Sequence, residues 1–232
     1  MRKVLVVFLI LLVGGVIAAD RIGVRMVQNE IGERVAAQYD LPRRPEVTIH
    51  GFPFLTQAIG GEYDRIDVAV GDYTQQRVTV KDVRIEMRGV QAPLDQVTAG
   101  NTANVVVRAA NASAVIPYEL MRQYAPKQVT GIKANGPDLQ VDLSGSLGGL
   151  PVSGTAVVSV EATEGGVRFT PRSVGTGGVQ IPVNLVRQQL AWTVPVRDLP
   201  IGSRISRVEV TPDGVRVAAT AQNVNLGALA AG

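Results

Sequence analysis

The 232-residue chain holds one histidine and no cysteine, so the side chains that most often carry nucleophilic or metal chemistry are scarce. His50 stands at the end of a strand, directly before Gly51. With a single histidine and no thiol, Cys–His nucleophiles and Cys- or His-rich zinc sites are excluded. Acidic residues occur singly, as in Asp64 and Asp67 or Asp138 and Asp142, spacings that mark the solvated face of a strand rather than a carboxylate pair. No G-x-S-x-G elbow, P-loop or Rossmann glycine fingerprint occurs. The expectation is a protein without catalytic residues, metal or cofactor. One route to catalysis stays open, His50 acting with a nearby acid.

Charge removes another class. The formal charge of +3 includes Arg2 and Lys3; without them the 23 basic residues become 21 against 20 acidic ones. No nucleic-acid footprint remains. Nineteen of the basic residues are arginine, whose planar guanidinium can pair phosphate in a bidentate fork, although a codon bias toward arginine gives the same count.

The elements that must position any site begin with MRKVLVVFLILLVGGVIAADR. A basic pair precedes an uninterrupted apolar run of 16 residues from Val4 to Ala19, between a secretory h-region and the roughly 18 residues of a spanning helix. This reads as an export signal, cleaved after Ala19 or kept as an anchor, and places the domain outside the cytoplasmic membrane. Disulfides would be allowed there; without cysteine, stability rests on the core. The organisation read from the sequence is a signal peptide or signal anchor over 1–19, an amphipathic helix over 20–39, and a β-rich domain over 40–232. In the helix, Ile22, Met26, Val27, Ile31 and Val35 form the apolar side. Pro42 and Pro45 then stop it.

Beyond residue 40 the dominant period is two, as in Ile66, Val68 and Val70, or Leu139, Val141 and Leu143. A one-residue slip at Lys81-Asp82, between Val80 and Val83, predicts a bulge or short turn that curves the sheet. Turns are predicted at Asn135-Gly136-Pro137, GSLGGLP (145–151), Glu164-Gly165-Gly166 and Pro212-Asp213-Gly214. Short helices are predicted around Pro117 to Tyr124 and from Pro182 toward Trp192. The strand interiors are Val, Ile, Leu and Ala, with 25 glycines and four phenylalanines in the chain. That composition fits a closed valine-rich core or a curved sheet with an open apolar groove.

Two of the four phenylalanines flank Pro53 in PEVTIHGFPFLTQAIGGEYDRIDV, residues 45–68. This stretch resembles the signature of the LmeA-like phospholipid-binding proteins of actinobacterial cell envelopes. Also similar to that family are the export signal followed by Ala19-Asp20-Arg21, the short helix near Pro117, the DLPIG segment at 198–202 and the closing VEVTPDGVRV at 208–217.

The resemblance implies an α+β, mostly antiparallel β fold with a strongly curved sheet wrapped against helices, like one tubular lipid-binding (TULIP-like) module. It implies a non-catalytic protein that binds or transfers phospholipid at the outer face of the plasma membrane, working with envelope glycolipid biosynthesis proteins in lipomannan-type assembly. The residues expected to line an acyl-chain groove are Phe52, Phe54, Leu55, Ile59, Tyr63, Val68, Val70, Ile85 and Met87; the same Phe pair also suits a core plug. Arg65, Arg84 and Arg88, on the strands after the signature, are the phosphate-pairing candidates. A closed β-sandwich that binds envelope proteins or glycans through its loops is the alternative reading.

Overall fold

The computed structural model describes residues 2–75, 78–93, 95–96, 101, 104–147, 150–176, 179–196 and 203–227. The DLPIG segment and the centre of the GSLGGLP turn lie outside the described residues. The fold is α+β and mostly antiparallel β, 54% of the chain, with a strongly curled sheet of TULIP-like type.

Helix α1 (Arg2–Gln38) runs without a break through the apolar leader and the amphipathic stretch. After the proline linker come β1 (Glu46–His50), helix α2 (Phe54–Gly60), β2 (Glu62–Gln75), β3 (Val78–Gln91) and β4 (Val106–Pro117). Helix α3 (Tyr118–Tyr124) leads into β5 (Val129–Asn135), β6 (Asp138–Leu147), β7 (Leu150–Thr163), β8 (Gly166–Thr176) and β9 (Val179–Ile181). Helix α4 (Val183–Leu190), β10 (Trp192–Pro195), β11 (Arg204–Thr211) and β12 (Gly214–Asn225) complete the order. One sheet runs β1-β2-β3-β4-β12-β11 and the other β10-β8-β7-β6-β5, with β9 paired to β8.

The alternation and turn chemistry explain the strands. Leu139, Val141 and Leu143 all face inward, and Asn135 pairs Asp138 across a two-residue turn with Gly136 at φ 61°. At the predicted slip β3 continues as one strand, with Asp82 in the left-handed region at φ 48°. Its amide hydrogen is accepted by Asp72 Oδ1 at 3.3 Å, and its carboxylate by contrast accepts from Arg216 at 2.8 Å. The three short helices share one device: Pro53, Pro117 and Pro182 each precede the first helical residue without a side-chain cap. A proline there has no amide to leave unpaired and a fixed φ. Trp192 falls in β10 rather than on the α4 face, because Ala191 is already extended at ψ 137°.

The chain forms two compact units, one of residues 1–71, 84–111 and 221–232, the other of 72–83 and 112–220. The second unit packs α3 and α4 with the strands over a core that includes Met121, Leu139, Val158, Leu190 and Val215. Phe169 and Trp192, register partners on β8 and β10, stack at 4.7 Å between centroids. The first unit packs α1 and α2 with the first strands around Val24, Ile49, Phe54, Tyr63, Ile66 and Val107.

Candidate lipid-binding site

In the first unit the α1 residues directly after the apolar run are tied to α2. Asp20, 1% exposed, accepts the Leu55 amide hydrogen at 2.8 Å and the Arg21 guanidinium at 2.6 Å. Burial pushes its carboxyl up, but the Leu55 amide, Arg21 and the Phe54 amide together outweigh that and hold it below the usual aspartate value. The Arg21 guanidinium also lies 5.1 Å over the Phe52 ring. Gly23 faces Phe54 and Leu55, and a Cβ there would stand 3.9 Å from the Phe54 ring and from a Leu55 methyl, at ordinary contact distance.

This link sets the rotation of α1. The face turned to the core is Asp20, Val24, Val27 and Ile31, at helical spacings of four, three and four. Ile22 and Met26, which the sequence groups with Val27 and Ile31 on one apolar side, are exposed. Helix α2 presents Leu55 and Ile59 at 39% and 89% exposure, and Phe52, just before the helix, is 62% exposed. Leu55 and Ile59 are one helical turn apart and share a side.

The expected groove residues therefore fall into three groups. Phe52, Leu55 and Ile59 face outward; Phe54, Tyr63 and Val68 are in the core; Val70, Ile85 and Met87 are half-buried against that core. Proline 53 thus separates one ring that plugs the core from one that leaves it. The Phe54 and Tyr63 centroids are 6.4 Å apart. The Tyr63 hydroxyl is buried with no hydrogen-bond partner among the described residues, and burial pushes its pKa up.

The opposite side of the same strands carries charge. His50 and Arg65 are register partners on β1 and β2. The His50 Nε2–Asp67 Oδ2 distance is 2.7 Å, and the Arg65 guanidinium lies 3.1 Å from Nδ1. The acid beside His50 thus exists, within an ion-pair cluster of Arg65 and Asp67. Arg88 pairs Glu86 at 2.7 Å, and this bond, with help from Asn111 and Arg65, keeps the Glu86 carboxyl low. Arg84 is exposed. The three arginine candidates are spread over β2 and β3; Arg65 pairs with Asp67 and Arg88 with Glu86.

A polar pocket of about 450 Å³ lies between α1 and β1, lined by Arg25, Gln28, Asn29, Arg44, Glu46 and Thr48 among others. None of the twelve expected lipid-contacting residues lines it. Gly32 makes it possible: a Cβ there would stand 2.9 Å from the Pro45 carbonyl oxygen and 3.0 Å from Arg44 Cγ. The linker can run against α1 only because that position is glycine. In the sequence Arg25 falls between the apolar positions Val24 and Met26, with nothing local to mark a pocket. The signals for the pocket were Gly32, buried on an otherwise apolar helix face, and the Pro42-Arg43-Arg44-Pro45 linker that must pass it.

No curated protein and no solved structure matches the chain. The profile of the LmeA-like phospholipid-binding family matches residues 18–220, from the α1 segment that carries Asp20 through most of β12, and the chain belongs to that family.

Proposed function

We propose that this protein is a non-catalytic phospholipid-binding or transfer protein held at the outer face of the plasma membrane by α1, and that it serves envelope glycolipid assembly of the lipomannan type. The family match over residues 18–220 carries the phospholipid part of this reading. Helix α1 supports the membrane part, being long and apolar enough to cross a bilayer or to act as a signal. Phe52, Leu55 and Ile59, exposed and tied through Asp20 to the residue after the apolar run, sit where the protein would meet the lipid surface. Phe52 and Leu55 then guide a lipid toward the half-buried Val70, Ile85 and Met87 on the inward side of β2 and β3. A long acyl chain represents on the order of 10 kcal/mol of apolar transfer, so its path has to be apolar throughout.

The test is organic extraction and lipid identification from the full chain purified in detergent, beside an Ile85→Asp/Met87→Asp variant whose folding is checked by circular dichroism. A phospholipid retained one-to-one by the wild type and lost from the folded variant supports the reading. Equal retention by both sinks it. A His50→Ala protein is expected to leave the composition of the extracted lipid unchanged.

A further inference from the structure

The pocket between α1 and β1 gathers hydrogen-bond donors that the first unit does not use internally. Arg25, Gln28 and Asn29 lie within about one turn of α1, and their side chains have no partner among the described residues. Arg44 joins them from the linker, where it shares only a 3.5 Å pair with Glu33, both side chains being exposed. Thr48 adds a hydroxyl, and Glu46 is the one carboxylate on the wall. With Glu33 beside Arg44 and Glu46 on the wall the charges balance, and Arg25, which pairs with no carboxylate among the described residues, is the guanidinium left for a ligand. Planar forks of N–H donors joined by carboxamides form the donor set of a phosphate site, and about 450 Å³ is within the usual range of ligand pockets.

Its position along α1 points the same way. Arg25 comes six residues after Ala19, about 9 Å along a helix axis. The polar layer on each side of a bilayer is about 5–8 Å deep. With the apolar run in the bilayer, Arg25 stands just outside that layer, at the end of the pocket nearest the lipid head groups.

We propose that this pocket holds the phosphodiester of the bound phospholipid, with Arg25 and Arg44 on its oxygens and Gln28, Asn29 and Thr48 on the rest of the head group. The proposal rests on the phospholipid-binding reading and adds the place where the phosphate is held. Arg65, Arg84 and Arg88 are then not needed for that task.

The experiment is native mass spectrometry of the full chain released from maltoside micelles that contain phosphatidylglycerol, a diacylglycerol of the same chains, or inorganic phosphate. Arg25→Gln and Arg44→Gln, both at exposed positions, are each expected to weaken phosphatidylglycerol binding about tenfold, the loss of one charged hydrogen-bonding group, with diacylglycerol binding and the melting temperature unchanged. Arg25→Lys should recover part of the loss, since it keeps the charge without the fork. Unaltered phosphatidylglycerol binding in the double variant overturns the pocket assignment while leaving the lipid reading in place. Wild-type protein that retains neither lipid overturns both. Arginine-dependent binding of inorganic phosphate without any lipid makes this a free-anion site and overturns the head-group assignment.

Discussion

The carboxylate of Asp20 accepts the backbone amide hydrogen of Leu55 across 35 residues of sequence, at 2.8 Å. Pro53 gives α2 no side-chain cap, so a residue of α1 supplies the acceptor that the helix start lacks. The bond fixes where Phe52, Leu55 and Ile59 stand relative to the end of the apolar run. Asp20→Ala is expected to lower the melting temperature and to speed hydrogen exchange at the Leu55 amide. An unchanged Leu55 amide would show that α2 is held by packing alone.

The same bond has a pH signature. The Asp20 carboxyl sits below its ordinary value in the folded protein, so its contribution is complete above the unfolded value of about 3.9 and fades as pH falls through the lower folded value. The Leu55 amide proton shift is expected to titrate with a midpoint below that of an unperturbed aspartate, and to lose the transition in Asp20→Asn.

The exposed apolar residues on α2 and just before it should meet lipid. The chain has no cysteine, so Phe52→Cys and Ile59→Cys can each carry a single environment-sensitive dye. Both labels are expected to shift to the blue in vesicle-reconstituted protein and to be quenched by nitroxides near the lipid head groups. Labels that report bulk water at both positions would remove α2 from the membrane surface.

The Phe pair should separate in stability measurements. Phe54 is in the core and Phe52 is exposed, so Phe54→Ala is expected to cost about 3–5 kcal/mol and Phe52→Ala less than about 0.5 kcal/mol. Tyr63→Phe removes a buried hydroxyl without a partner among the described residues and is expected to stabilise the lipid-free protein by about 1 kcal/mol. A loss of stability in Tyr63→Phe would mean that the hydroxyl is paired.

Gly32→Val should act on the pocket through the linker. Its added carbons meet the Pro45 carbonyl and Arg44, at an expected cost of about 1–3 kcal/mol and with weaker phosphatidylglycerol binding. Full binding in Gly32→Val would mean that Arg44 does not need the linker's close approach.

Much of the fold was legible because period-two alternation and turn residues are local signals. Leu139, Val141 and Leu143 announced β6, and Asn135-Gly136-Pro137 its hairpin. Helix α2 was harder: FLTQAIG is too short to show a period, and only Pro53 before it and Gly61 after it, left-handed at φ 66°, mark its ends. Which part of the apolar side of α1 faces the core was not legible, because hydrophobicity does not reveal a rotation set by a carboxylate, Asp20, bound to a distant amide. The 1–19 and 20–39 segments differ in composition yet form one helix. The pocket was illegible for a related reason: Arg25 and Arg44 are 19 positions apart, and what brings them together is the missing side chain of Gly32.

The central claim is that phospholipid reaches the inward side of β2 and β3. It is tested most directly by irradiating the full chain in nanodiscs that contain a phospholipid with a diazirine in its acyl chain, then mapping the adducts by mass spectrometry. The account predicts adducts at Val70, Ile85 or Met87 in addition to those on α1 and α2. Adducts confined to the apolar run of α1 and the exposed residues of α2 would contradict it, leaving a membrane-bound domain that does not take lipid in.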